Sequence, residues 1–169
     1  IDYMLEARDI SEYKVELMQE NFNRCHLNKA KAVAWDALEP DERWLGQADV
    51  VIADIPCSGL GVIGRKRDIK YKMTPQAVQD IVELQEKILK VAASYVKKGG
   101  KLLFSTCTVN KDENEAHVKW IQDTLKMTPV SLNGTLPGLV HSPTTQQGFV
   151  QLIPGMQDTD GFFISVFEK

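Results

Sequence analysis

Cys57 and Cys107 are the side chains in this sequence best suited to forming and breaking covalent bonds. Cys57 lies in Asp54-Ile55-Pro56-Cys57-Ser58-Gly59 and Cys107 in Ser105-Thr106-Cys107-Thr108, each just past an apolar run. A cysteine is a nucleophile as the thiolate, which a nearby cation or helix N-terminus favours. A helix is predicted a few residues after Cys107, so its dipole is a candidate source of that help. Three carboxylates share this kind of placement, because Asp9, Asp36 and Asp54 each close a strand candidate. Open α/β sheets bind ligands at the carboxyl ends of their strands. Acidic residues also favour turns after strands, but three acids and a thiol along one expected rim point to a site.

The third cysteine, Cys25, reads as a small buried hydrophobe on a helix. Three widely spaced cysteines argue against a disulfide framework, and neither they nor the three histidines have metal-ligand spacing, so no metal is assigned. A chain of 169 residues, 43% hydrophobic and 25% charged, suits one globular domain. The net charge of −3 excludes a chain that is basic all over, though not a local basic patch. No apolar run is long enough to span a bilayer and no leader pattern opens the chain, so a cytoplasmic protein is expected. The start, IDYMLEARDIS, enters a strand and helix cap at once and reads as a fragment of something longer.

These residues need elements to hold them. Tyr3 to Ala7 is a short strand candidate ending at Arg8-Asp9, and Ser11 can cap a helix carrying Ile10, Tyr13, Leu17, Met18, Phe22 and Cys25. Lys31 to Trp35 reads as a strand. Asp49 to Ile55 is β-branched and nearly all apolar, the pattern of a strand buried on both faces. Thr74-Pro75 starts a helix whose stripe runs Val78, Ile81, Val82, Gln85, Ile88, Leu89, Ala92 and Val96, stopped by Gly99-Gly100. Lys101 to Thr106 is the next strand and Asn110 to Leu125 the next helix, with Asp112 and Glu113 in its first turn. Two late strands, FVQLI and GFFISVF, suggest an antiparallel C-terminal edge on a parallel α/β sheet.

Gly59-Leu60-Gly61-Val62-Ile63-Gly64 spells the dinucleotide fingerprint G-x-G-x-x-G. That site needs a helix starting inside the glycine turn and an acid ending a second strand about 20 residues on. The segment that follows, RKRDIKYKM, has no helical stripe, and the next regular element is a helix. The glycines are expected instead to let the loop pass close to a large substrate. Arg65, Lys66, Arg67, Lys70 and Lys72 surround Tyr71 in a cluster suited to nucleic-acid phosphates.

DIPCSG, GVIGRKRDIKY, STCTVNKDENE and QLIPGMQDTDGFF occur in that order along nearly the whole chain. In these motifs the sequence resembles the S-adenosylmethionine-dependent RNA cytosine-C5 methyltransferases, in particular the bacterial enzymes of small-subunit (16S) ribosomal RNA. The resemblance implies a single catalytic domain over 1–169, with a Rossmann-like class I methyltransferase sheet and helices on both faces. It implies that Cys107 adds to C6 of cytosine, and that Cys57 assists loss of the C5 proton and release of product. Asp54 contacts the cytosine and lies near the cofactor, Asp9 holds the ribose hydroxyls and Asp36 the adenine. Arg65, Lys66, Arg67 and Lys70 line the RNA path, and the target base must be splayed out of any stack.

Two residues depart from the family pattern. Ile55 stands where alanine is usual, and Arg67 where proline is usual before Asp-Ile. The family's first strand and glycine-rich cofactor loop are also absent from this stretch, so the resemblance implies a gap in the sheet and weak or no cofactor binding. Three other readings remain open on the residues. They are a DNA cytosine-C5 methyltransferase with Cys57 as nucleophile, a non-catalytic RNA-binding or assembly module, and a redox enzyme using both thiols.

Overall fold

The computed structural model describes residues 2–135 and 143–169, which divide into two compact units, 1–41 and 42–169. The first unit is β1 (Leu5–Asp9), α1 (Glu12–Arg24) and β2 (Ala30–Ala34), with β1 and β2 parallel and Leu5 opposite Ala30. A buried charge network ties β1 down. Glu6 accepts from Arg8 and from Lys31 (2.7 Å), and Arg8 also donates to Asp41 (2.6 Å). On β2 the Ala32 N–H is satisfied by Gln19 Oε1 of α1 at 3.0 Å.

Several expectations fail in this unit. Ser11 occupies the N-cap position of α1 but its hydroxyl caps nothing, because its own N–H is turned onto Asp9. Helix α1 buries no side chain, and Ile10 and Tyr13 are exposed. Cys25 is therefore not a core residue: it stands exposed at the C-cap of α1.

In the second unit β3 (Ala48–Asp54) leads through the Cys57 loop to the short α2 (Ile69–Lys72) and the long α3 (Pro75–Tyr95). Strand β4 (Val96–Thr106) follows, then α4 (Glu115–Trp120), which continues as a π-helical segment, Ile121–Leu125. Strands β5 (Thr128–Pro129), β6 (Phe149–Leu152) and β7 (Phe162–Glu168) complete it. β3 and β4 are parallel; β7 returns antiparallel against β4, β5 and β6, which is the C-terminal edge expected. β1 and β2 form one sheet, and β3, β4, β7, β5 and β6 the other.

Helix α3 begins as its sequence dictates, with Thr74 Oγ1 accepting from the Ala77 N–H at 3.1 Å and Pro75 at the first position. Its stripe Ile88, Leu89, Ala92 and Ala93 joins Leu102 and Phe104 of β4 and Phe163 and Phe167 of β7 in one core. Two boundaries and one burial pattern differ from expectation. α3 ends at Tyr95, before the glycine pair, because Val96 already pairs with Ala48 in the sheet. α4 starts at Glu115 rather than Asn110, since the side chains before it are spent on loop contacts. β3 is not buried on both faces: Ala53 is buried, but Val50 and Ile52 are 58% and 69% exposed, leaving one face uncovered.

Candidate active site

Strand β3 ends at Asp54 and β4 at Thr106, and these neighbouring parallel strands deliver the two cysteine loops to the same end of the sheet. Asp54 pairs with Ser105 in register, and the Ser105 hydroxyl donates to Asp54 Oδ1 at 3.1 Å. The result is a sulfur pair, with Cys57 Sγ 3.3 Å from Cys107 Sγ and both half-buried. Burial, and then the hydrogen bond to the Cys107 sulfur, push the Cys57 thiol up to about 12. At neutral pH Cys57 therefore keeps its proton, and either sulfur can be the donor across the contact.

That shift has a measurable consequence. An ordinary thiol here would titrate at 9.0. At pH 8 the thiolate fraction of Cys57 is therefore about a thousandfold lower than that of a free cysteine. Its alkylation by iodoacetamide is expected to stay correspondingly slow and to keep rising with pH well above 9, as followed by peptide mass spectrometry. Labelling that saturates near pH 9 would contradict the burial of this sulfur.

The loops are held from behind by side chains that sequence reasoning assigned elsewhere. Glu113, read as a first-turn helix residue, is fully buried. It accepts from the Ser58 N–H (2.8 Å) and the Ser58 hydroxyl (2.5 Å). Gln85, set in the apolar stripe of α3, donates from Nε2 to Pro56 O at 2.9 Å and to Glu113 at 3.2 Å. Asn114 brackets Cys107: it accepts from the Thr106 hydroxyl at 2.6 Å and donates to Thr108 O at 3.0 Å. A glutamine inside an apolar stripe was the one signal in the sequence that this layer existed. Ile55, the bulky departure, packs into the core, so its extra volume lies away from the thiols.

The glycine loop answers to the protein's own backbone. Gly59 adopts φ +71°, a left-handed turn that favours glycine. Gly61 donates its N–H to Cys107 O at 3.1 Å, and its carbonyl accepts from the Gly161 N–H at 2.8 Å. The close approach expected toward a substrate is thus made, at Gly61, toward Cys107 and Gly161. Gly64 has nothing within 4 Å of a would-be Cβ. No helix starts within the glycines, only the 3-10 turn Leu60–Val62, so the dinucleotide reading fails on geometry as well.

Beyond this turn the basic cluster is exposed. Arg65 pairs with Asp160 (2.9 Å) and Lys72 with Asp68 (2.6 Å). Lys70 lies 4.7 Å from the centroid of the Tyr71 ring. Among the described residues, Lys66 and Arg67 make no ion pair. Of the cluster, Lys70 lines an open groove of about 500 Å³, together with Leu60, Ile63, Met73, Val78 and Asn110.

In the first unit Asp9 accepts from the Ser11 N–H (2.9 Å) and from Lys14 (3.1 Å). The Ser11 amide above all holds its carboxyl below the usual range; desolvation opposes it, and Lys14 adds to the lowering. Asp36 accepts from the Leu38 N–H at 2.9 Å. Both are oriented, acceptor-only groups with lone pairs to spare, the chemistry that fits hydroxyl or amino donors such as those of a nucleoside. Among the described residues no group of three or more His, Cys, Asp or Glu could hold a metal ion, and no helix is long and apolar enough to cross a membrane.

A family model described as 16S rRNA methyltransferase RsmB/F matches residues 2–168. The chain belongs to this family. Among RsmB/F relatives it is 38% identical over 164 residues to the probable ribosomal RNA small subunit methyltransferase B of Bacillus subtilis, covering 95% of this chain and 36% of that protein. It is 28% identical to the ribosomal RNA small subunit methyltransferase F of Escherichia coli, covering 96% and 34%. The chain thus spans roughly a third of the length of these curated relatives. A methyltransferase homolog protein from Pyrococcus horikoshii aligns at TM-score 0.80 and 25% identity over 99% of this chain and 54% of that one. NSun6 from the same organism, with SFG, gives 0.73 at 25% identity over 98% and 41%. The RsmB/F chain described here is accordingly an α/β protein of Rossmann-like methyltransferase fold.

Proposed function

We propose that residues 1–169 are part of the catalytic domain of a longer enzyme that methylates C5 of a cytosine in small-subunit ribosomal RNA, in the cytoplasm, through a covalent Cys107 adduct. The observation that carries this reading is the sulfur pair, in which one thiol is kept protonated against the other. Cys107 gives its own proton to water and adds as the thiolate to C6 of the pyrimidine, and Cys57 gives up its proton to the negative charge that develops on the ring. The addition makes C5 electron-rich. S-adenosylmethionine, when bound, supplies an electrophilic methyl group on a sulfonium. Once C5 carries the methyl, Cys57 is a thiolate and takes the C5 proton. Cys107 then leaves C6, the ring proton passes to water, and both sulfurs return to their starting states.

Asp54, oriented by Ser105, faces the base in this scheme and lies near the cofactor. Asp9 and Asp36 hold the cofactor's ribose hydroxyls and adenine. Arg65, Lys66, Arg67 and Lys70 meet the RNA phosphates, with Arg65 exchanging Asp160 for the backbone. The full-length protein, incubated with methyl-labelled S-adenosylmethionine and small-subunit RNA, is expected to place label on C5 of cytosine. RNA bound without label transfer would instead support the non-catalytic module.

A further inference from the structure

A buried carboxylate is costly unless every lone pair finds a donor. Glu113 meets that demand in a particular way. Oε2 accepts from the Ser58 N–H at 2.8 Å and from Gln85 Nε2 at 3.2 Å. Oε1 accepts from the Ser58 hydroxyl at 2.5 Å and from the Thr108 hydroxyl at 3.4 Å. The two hydroxyls are themselves 2.8 Å apart. Ser58 follows Cys57, and Thr108 follows Cys107. One carboxylate therefore grips the residue next to each thiol, and the sulfurs in front of it stand 3.3 Å apart.

We infer that Glu113 is a positioning residue that sets the separation of the Cys57 and Cys107 sulfurs by clamping Ser58 to Thr108. It acts through those two residues and not on the sulfurs themselves. The need for a clamp follows from the topology. The sheet sets the register of the two strands as far as Asp54 and Ser105, but the cysteines lie beyond it, 50 residues apart in the chain, on loops that side chains must tie together. Backbone bonds alone hold Gly61 to Cys107, whereas Glu113 holds Ser58, the residue directly after Cys57. Its bearing on turnover rests on the methyltransferase reading, but the clamp itself is measurable without RNA or cofactor.

The test is disulfide closure by diamide in the full-length protein carrying Cys25→Ser. The two thiols lose two protons and two electrons to the azo bond, which becomes a hydrazine, as the Sγ–Sγ bond forms. Closure needs the sulfurs to meet, so its rate reads their placement; mass spectrometry follows the loss of two hydrogens. Glu113→Ala is expected to slow closure at least about tenfold, the scale of a small misplacement of reacting groups. Glu113→Gln keeps an oxygen for Ser58 N–H and an amide for the Ser58 hydroxyl, and is expected to close within about threefold of the parent. A role in overall stability alone would lower the melting temperature of Glu113→Ala and leave its closure rate unchanged.

Closure of Glu113→Ala at the parental rate overturns the clamp, as does Glu113→Gln being as slow as alanine. If Glu113→Ala does not fold, the Ser58→Ala, Thr108→Val double variant decides. It should also slow about tenfold, and parental closure there overturns the inference. Slowed closure in a full-length protein that transfers no methyl group would keep the clamp and remove the methyltransferase reading.

Discussion

Cys107→Ala in the full-length protein is expected to lose both methyl transfer and the covalent adduct with RNA carrying 5-fluorocytosine. The loss in rate should exceed about 10⁴-fold, the scale seen when a covalent nucleophile is removed. Cys57→Ala should behave differently. Its thiol holds a proton at neutral pH, pushed up to about 12 by burial and by Cys107. Such a group is a poor nucleophile at neutral pH, while its thiolate, once formed, is a strong base. Without it Cys107 still adds to C6, but the C5 proton has no base to take it, so the protein should accumulate on ordinary cytosine RNA as a denaturation-resistant complex. Turnover should fall by about 10² to 10⁴, the range for a lost general acid or base. Both outcomes are read by denaturing gel shift and by label transfer. The opposite pattern, an adduct that needs Cys57 and survives loss of Cys107, would make Cys57 the nucleophile, as in the DNA enzymes.

The placement of the candidate site residues was legible because strand ends are legible. An apolar β-branched run such as Val50–Ala53 and a run such as Leu102–Thr106 announce strands, and whatever follows them stands at the edge of a sheet. Cys57, Cys107, Asp54, Asp9 and Asp36 could be found that way. The supporting layer could not. Glu113 and Asn114 look like any polar first turn, and only the fold brings them under Ser58, Thr106 and Thr108. Their burial is a property of contacts between segments far apart in sequence, which periodicity does not encode. The same limit explains Cys25 and Val50. Each sits in a pattern that suits burial, but burial needs a covering element, and among the described residues none covers them. Helix α1 keeps its apolar residues largely exposed although their spacing is good.

Gly61→Ala is expected to be among the most damaging single-methyl changes in the chain. A Cβ there would lie 2.4 Å from Gly161 O, 2.7 Å from Gly161 C and 2.8 Å from Cys107 O. All three are backbone atoms, so no side chain can swing aside, and the loop must lift from Cys107, from Gly161, or from both. Lifting breaks the bond from Gly61 N–H to Cys107 O (3.1 Å), the bond from Gly161 N–H to Gly61 O (2.8 Å), or both. Overpacking in a well-packed interior costs about 1–3 kcal/mol, and this backbone clash belongs at the upper end. For a domain of this size that is a fall of roughly 10 °C in melting temperature. Gly64→Ala is the internal control, with open space around the new methyl. It should be neutral or stabilising by up to about 1 kcal/mol through the unfolded chain. The two substitutions lie three residues apart in one apparent fingerprint, and a phosphate-cradling loop would lose function at both. Calorimetric melting that falls for Gly61→Ala and holds for Gly64→Ala marks the glycines as a joint between the protein's own loops. Equal melting temperatures for Gly61→Ala and the parent would show that the contact with Gly161 is not formed.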